Sequence, residues 1–222
     1  MKLKLREQIW CFLFKIKLVR IFIFYKLNRY NAKLSLLDNL NLKINDKVLD
    51  FGANNGIISQ YLFDKYKCNL EVFEPNPYCF EILKKIFINN SKVKLHNVAV
   101  SNKTQKRKFY LSKRSNDITD MGLSEIPSLE KKKANVSSKN YILVKCINVG
   151  NLFKKFKKVN FLKIDIEGHE YKILPGIIKN INKFDKIFCE MHGVTHRFEF
   201  KKDFIKWDKK LKKIKNKIFF YW

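Results

Sequence analysis

Residues 48–56 read VLDFGANNG. Val48 and Leu49 lead to Asp50 and Phe51, and the side-chain bulk then falls away through Gly52, Ala53, Asn54, Asn55 and Gly56. The first half has the composition of a buried strand. The stretch that follows, GIISQYLFDKY, has helical period, with Ile57, Ile58, Tyr61, Leu62 and Tyr66 on one side. A strand that turns through small residues straight into a helix lets a ligand approach the backbone. The free amides of that helix start attract an anion such as a carboxylate.

The same alternation continues outward. LEVFEP (70–75) reads as a second strand, and PYCFEILKKIFINN (77–90) as a second helix opened by Pro77. VKLHNVAV (93–100) reads as a third strand and KFYLS (108–112) as a fourth. VNFLKIDI (159–166) and FDKIFCEMH (184–192) are further strands around a helix at 168–181 that contains Pro175. A helix at 201–213 and a last strand in NKIFFYW (216–222) complete the chain. Strands alternating with helices predict an α/β fold with a doubly wound, mostly parallel sheet. Residues 112–140 are polar, contain Gly122 and Pro127 and show neither period, so they read as a long loop that shapes a site. The chain therefore divides into a basic, apolar helical extension at 1–42 and one domain at 43–222.

In such sheets ligands bind beyond the carboxyl ends of the strands, where the first strand meets its helix. The turn is not the dinucleotide pattern G-x-G-x-x-G, because Asn54 stands where the middle glycine would admit a pyrophosphate. A nucleoside ligand without a diphosphate is expected instead. Glu74 ends the second strand, placed to accept hydrogen bonds from ribose hydroxyls.

These residues resemble the FkbM-like S-adenosylmethionine-dependent methyltransferases. The resemblance rests on VLDFGANNG, VFEPNPYCFEILKK, VKLHNVAVSN and above all FLKIDIEGHEYKILPG (161–176), with FCEMHG after it, and spans about residues 44–193. It implies a class I methyltransferase, Rossmann-like fold. It implies that Asp50, Gly52, Ala53, Asn54, Asn55 and Gly56 line the methionine end of S-adenosylmethionine. Glu74 and Pro75 would hold the ribose, and Asn97 and its neighbours would lie near the adenine. Asp165 would face the amino group of the cofactor or the acceptor. The sequence departs from the family in INVGNL (147–152), where an acid is common at Gly150, and in His169, where a small residue is common. A seventh, antiparallel strand is missing or replaced.

Methyl transfer to a hydroxyl needs alignment and a group that takes a proton. The candidates are His192, Asp165 and Glu190, with Glu167 beside them; His192 is preferred because an ordinary imidazole titrates near neutrality. Asp165 and Glu190 could instead hold Mg2+, a cation that carboxylates suit. Glu170 reads as a first-turn acid that favours its helix, and His96 and His196 as structural. NPY (76–78) resembles an amino-methylating signature but opens the wrong helix, which removes support for an adenine-amine acceptor.

The net charge of +27 is nearly all lysine. Lys, Asn, Ile and Phe have AT-rich codons, and a functional basic surface is the other reading. The scarcity of arginine makes nucleic acid the less favoured partner. The expected function is O-methylation of a small-molecule or glycan-linked hydroxyl; the alternatives are an RNA methyltransferase that uses the lysine-rich surface and a non-catalytic membrane-surface protein. Cys11, Cys68, Cys79, Cys146 and Cys189 form no CxxC pair, which suits reduced thiols and a cytoplasmic protein. Residues 9–27 are apolar but carry Lys15, Lys17 and Arg20, too many charges for a spanning helix. Peripheral contact of residues 1–30 with an anionic membrane is one reading; packing on the following domain is the other.

Overall fold

The structure is a computed structural model. It describes residues 3–5, 8, 9, 12, 37–115, 117–120, 124, 126–192 and 218–221, for the last four the backbone alone. Most of the 1–42 extension, the helix expected at 201–213 and His196 lie outside the described residues.

Strand β1 (Lys47–Phe51) is followed by helix α1 (Ile57–Tyr66), β2 (Asn69–Phe73), α2 (Pro77–Ile86) and β3 (Val93–His96). Next come β4 (Ala99–Ser101), β5 (Gln105–Ser112), β6 (Val136–Asn148) and α3 (Val149–Phe153). Then follow β7 (Val159–Ile164), α4 (Glu170–Lys179), β8 (Phe184–Glu190) and β9 (Ile218–Tyr221). The main sheet has the order β3-β2-β1-β7-β8-β9. Every pairing in it is parallel, β9 included. The chain winds outward from β1 to β3 and then returns to place β7 on the other side of β1. The crevice between the ends of β1 and β7 is therefore the topological switch point.

Strands β1, β2, β7 and β8 are covered on both faces, so their sequences are largely apolar at successive positions rather than at alternate ones. In β1, Leu49 and Phe51 join the core under α3 and α4, with Phe153, Leu162, Ile173 and Phe184. Val48 joins the core under α1 and α2, with Leu62, Val72, Leu83 and Phe161. Asn76 caps α2 by accepting from the amides of Tyr78 and Cys79, and Pro77 occupies its first turn, where a missing N–H costs nothing.

Two expectations need correction. VKLHNVAV is not one strand: it divides at Asn97 and Val98 into β3 of the main sheet and β4 of a second sheet, ordered β4-β6-β5. The Asn97 side-chain amide donates to the Glu74 carbonyl at 2.8 Å, pinning the chain where it bends. Residues 112–140 are not all loop. Ser112 ends β5 and pairs with Val136, the start of a strand that runs to Asn148. The polar residues at its beginning are held by the backbone ladder, which sequence period does not report. In α1, Tyr61 and Tyr66 are half-buried, and Ser59 and Gln60 are buried in addition to the expected aliphatic residues.

Candidate active site

A cavity of about 410 Å³ opens at the switch point. Its floor is the turn after β1, and its near wall is the end of β2 at Glu74 and Pro75. The far wall is Asp165, Ile166 and Glu167 after β7, with Glu190 and His192 at the end of β8. A second, more apolar wall comes from Val98, Ala99, Val100 and Phe109, and from Pro127 and Leu129 of the segment between β5 and β6. The volume falls within the range of about 300–1,000 Å³ usual for small-molecule sites.

The turn is shaped by its small residues. Gly52 has φ +81°, and a β-carbon there would sit 1.8 Å from the Asp165 carbonyl oxygen. Only glycine lets the ends of β1 and β7 approach so closely. Asn54 takes φ 51°, a left-handed conformation that asparagine tolerates better than most residues. Its amide then donates to Glu74 Oε2 at 2.7 Å, while the Asn76 amide donates to Oε1 at 2.8 Å. Glu74 is buried and fixed with one amide on each oxygen, leaving further lone pairs to accept from a ligand. Burial pushes its pKa up to about 7, against the pull of those two amides and of Lys163.

Asp50 does not line the cavity. It is fully buried, accepting from Ser59 Oγ at 2.6 Å and from Lys163 Nζ at 3.0 Å. Gly56 and Asn97 are also set back from the wall, whereas Gly52, Ala53, Asn54, Asn55, Glu74, Pro75 and Asp165 form it. Asp50 thus supports the site through Lys163. Lys163 is the penultimate residue of β7, its ammonium 3.0 Å from the Gly52 carbonyl and 3.7 Å from Asp165 Oδ2. Burial works to lower its pKa, but Asp50 and Asp165 raise it further, so the lysine stays charged. The signal for it was one charge inside an otherwise apolar buried strand, since a lysine there is rarely buried unless paired.

His192 stands among four carboxylates. Its Nδ1 is 3.0 Å from Glu170 Oε1, and its Nε2 is 3.5 Å from Glu167 Oε2 and 3.8 Å from both Asp165 Oδ1 and Glu190 Oε1. Burial works to lower the ring's pKa, but Glu170, Glu167 and Asp165 together raise it to about 10. The near-neutral pKa that made His192 the preferred base is therefore not what this site provides. The ring is a cation held between acids.

Asp165, Glu190 and His192 each offer a ligand atom, all within 4.8 Å of one another. A divalent cation there would compete with the proton that the surrounding acids favour on His192 and with the Lys163 ammonium beside Asp165. The acids face internal cations that a metal would have to displace.

Sequence reasoning passed over a second polar cluster. His169 is fully buried, with Nδ1 2.6 Å from Glu130 Oε1 and Nε2 2.9 Å from Ser101 Oγ. Arg107 approaches the same Nε2 at 3.4 Å and donates to the Leu129 carbonyl at 3.3 Å. Burial works to raise the Glu130 pKa, but the His169 hydrogen bond and charge, with Arg107, hold it below the usual carboxylate value. Ser128 Oγ donates to the Glu167 carbonyl at 2.6 Å, and Lys133 pairs with the Glu167 carboxylate. Glu167 itself has φ 58°, a strained backbone for a glutamate, immediately beside the cavity. The segment that forms the apolar wall is thus laced to residues 167–169 by three polar ties.

Residues 50–218 match the family model described as the methyltransferase FkbM domain. Methyltransferase sdnD of Sordaria araneosa is 25% identical over 167 residues, covering 63% of this chain and 63% of its own length. Hexuronic acid methyltransferase AglP of Haloferax volcanii is 25% identical over 150 residues, covering 67% of this chain and 56% of its own length. The chain spans less than two thirds of the length of these curated relatives. A solved methyltransferase FkbM from Methylobacillus flagellatus KT aligns with TM-score 0.43 and 16% identity, over 65% of this chain and 32% of that one.

Proposed function

The chain belongs to the methyltransferase FkbM family, and from that premise we propose that it transfers a methyl group from S-adenosylmethionine to a hydroxyl of a small-molecule or glycan-linked acceptor. The observation that carries this reading is the placement of Glu74. Its carboxylate is locked at the cavity wall by the amides of Asn54 and Asn76, with lone pairs left for vicinal hydroxyls. The low wall of Gly52 and Ala53 and the acids Asp165 and Glu190 fit the cationic, amino-acid end of the cofactor.

When bound, S-adenosylmethionine supplies an activated methyl carbon on a sulfonium. The chain must position the acceptor, exclude water and take up the acceptor's proton. We assign the proton to Asp165 or Glu190, the carboxylates that end neighbouring strands. Protonated His192, 3.8 Å from each, stays as the fixed charge that holds them ionised and oriented. Positioned proton transfer of this kind contributes about 10²–10⁴-fold. The Lys163–Asp50 pair fixes the Gly52 carbonyl from below. The segment at 126–133 closes the acceptor side.

Calorimetry with S-adenosylhomocysteine tests the reading. The wild type should bind, and Glu74→Ala should weaken binding by at least about tenfold, as expected for losing hydrogen bonds to a charged group. Absence of binding by the wild type, or equal affinity in the variant, would remove it.

A further inference from the structure

We propose that residues 3–12 seat the protein on an anionic lipid surface through Leu5, Ile9 and Phe12. These three side chains are 72%, 50% and 67% exposed. Residues 5, 9 and 12 are helical, and the spacing i, i+4, i+7 puts them on one face. The root of the segment is fastened to the domain. Leu3 is buried against Tyr78 and Ile82 of α2, the Lys4 amide donates to Tyr78 Oη at 2.9 Å, and Gln8 Nε2 donates to the Leu3 carbonyl at 2.8 Å. An apolar stripe fastened at its root and left open to water is suited to a surface outside the molecule.

Charge selects which surface. Residues 1–30 carry Lys2, Lys4, Arg6, Lys15, Lys17, Arg20, Lys26 and Arg29 against the single acid Glu7, and of these Lys4 already pairs with Asp117 of the domain at 3.1 Å. An apolar face flanked by basic residues lies in the headgroup region of a bilayer, its side chains sunk to the acyl boundary and its cations among lipid phosphates. A protein partner would match the stripe but would not require eight basic residues against one acid over the first 30 positions of the sequence. This inference does not rest on the methyl-transfer reading, because the stripe is separate from the residues that line the cavity.

The test is flotation of the full chain with phosphatidylcholine vesicles, with or without phosphatidylglycerol. The wild type should float only with the anionic vesicles and should be released as salt rises. The triple variant Leu5→Gln, Ile9→Gln, Phe12→Gln should lose at least tenfold in partition. Its unchanged far-ultraviolet circular dichroism and unchanged thermal melting would show an intact fold, since the replaced side chains are exposed. Flotation of the variant equal to that of the wild type overturns the proposal. So does wild-type flotation with neutral vesicles that resists alkaline carbonate, which would indicate a spanning anchor. Binding to single-stranded RNA without binding to either vesicle would assign the cations to nucleic acid and overturn it as well.

Discussion

His192 shows how one side chain is redefined by what surrounds it. In isolation a histidine after FDKIFCEM suggests a base at neutral pH; in place, burial works to lower its pKa, but Glu170, Glu167 and Asp165 outweigh burial and raise it to about 10. The folded value lies above the value of about 6.5 expected in the unfolded chain. Its stabilising effect is therefore complete below about pH 6.5 and is lost as pH rises through about 10. Thermal melting of the wild type should fall between pH 7 and pH 10, whereas His192→Gln should be less stable at pH 7 and flatter across that interval. Equal slopes for both proteins would show that the ring is not protonated. The residues of the β1 turn were legible in sequence, because glycine and alanine at that place have few other uses. Asp50 was misread as cavity lining for the opposite reason: an acid at the end of a strand resembles a ligand contact, and only the position of Lys163 reveals that its charge is answered internally.

Among the elements, the centre of the main parallel sheet could be read because β1, β2, β7 and β8 are largely apolar on both faces, which sets them apart from their helices. Strand β6 could not, since the residues near its start are polar and its partner is fixed by ladder geometry alone. The lacing of the apolar wall was equally invisible. It joins Glu130 to His169 across 39 positions and His169 to Ser101 across 68, distances at which no local pattern exists. These ties predict a local opening. In Glu130→Ala, His169 Nδ1 loses its acceptor, and hydrogen exchange at the paired amides of Tyr110 and Ser128 should quicken by roughly 10–100-fold, the equivalent of one charged hydrogen bond. Amides of β1 should exchange as before, and Glu130→Gln should recover most of the protection. Unchanged exchange in the alanine variant would mean that Ser128 and Lys133 hold the wall without help.

At the scale of the molecule, the cavity draws on the ends of β1, β2, β7 and β8, so both halves of the sheet contribute to it. A ligand there bridges the two halves and binds the folded chain alone. S-adenosylhomocysteine at about 100 times its Kd should add about 2.7 kcal/mol and raise the Tm by roughly 5–10 °C. A melting curve that does not move at saturating ligand would contradict a site shared between the halves. The second sheet has a different status. It enters the chain after β3 and returns it at α3, supplying one wall of the cavity while leaving the glycine turn, Glu74 and the acids of β7 and β8 to the main sheet. On the proposed function, acceptor choice would be written mainly in the second sheet and donor capture in the first, joined through the ties from Ser128, Glu130 and Lys133 to Glu167 and His169. Transplanting residues 102–148 between homologues is then a route to exchanging what is methylated while leaving the donor machinery in its original scaffold.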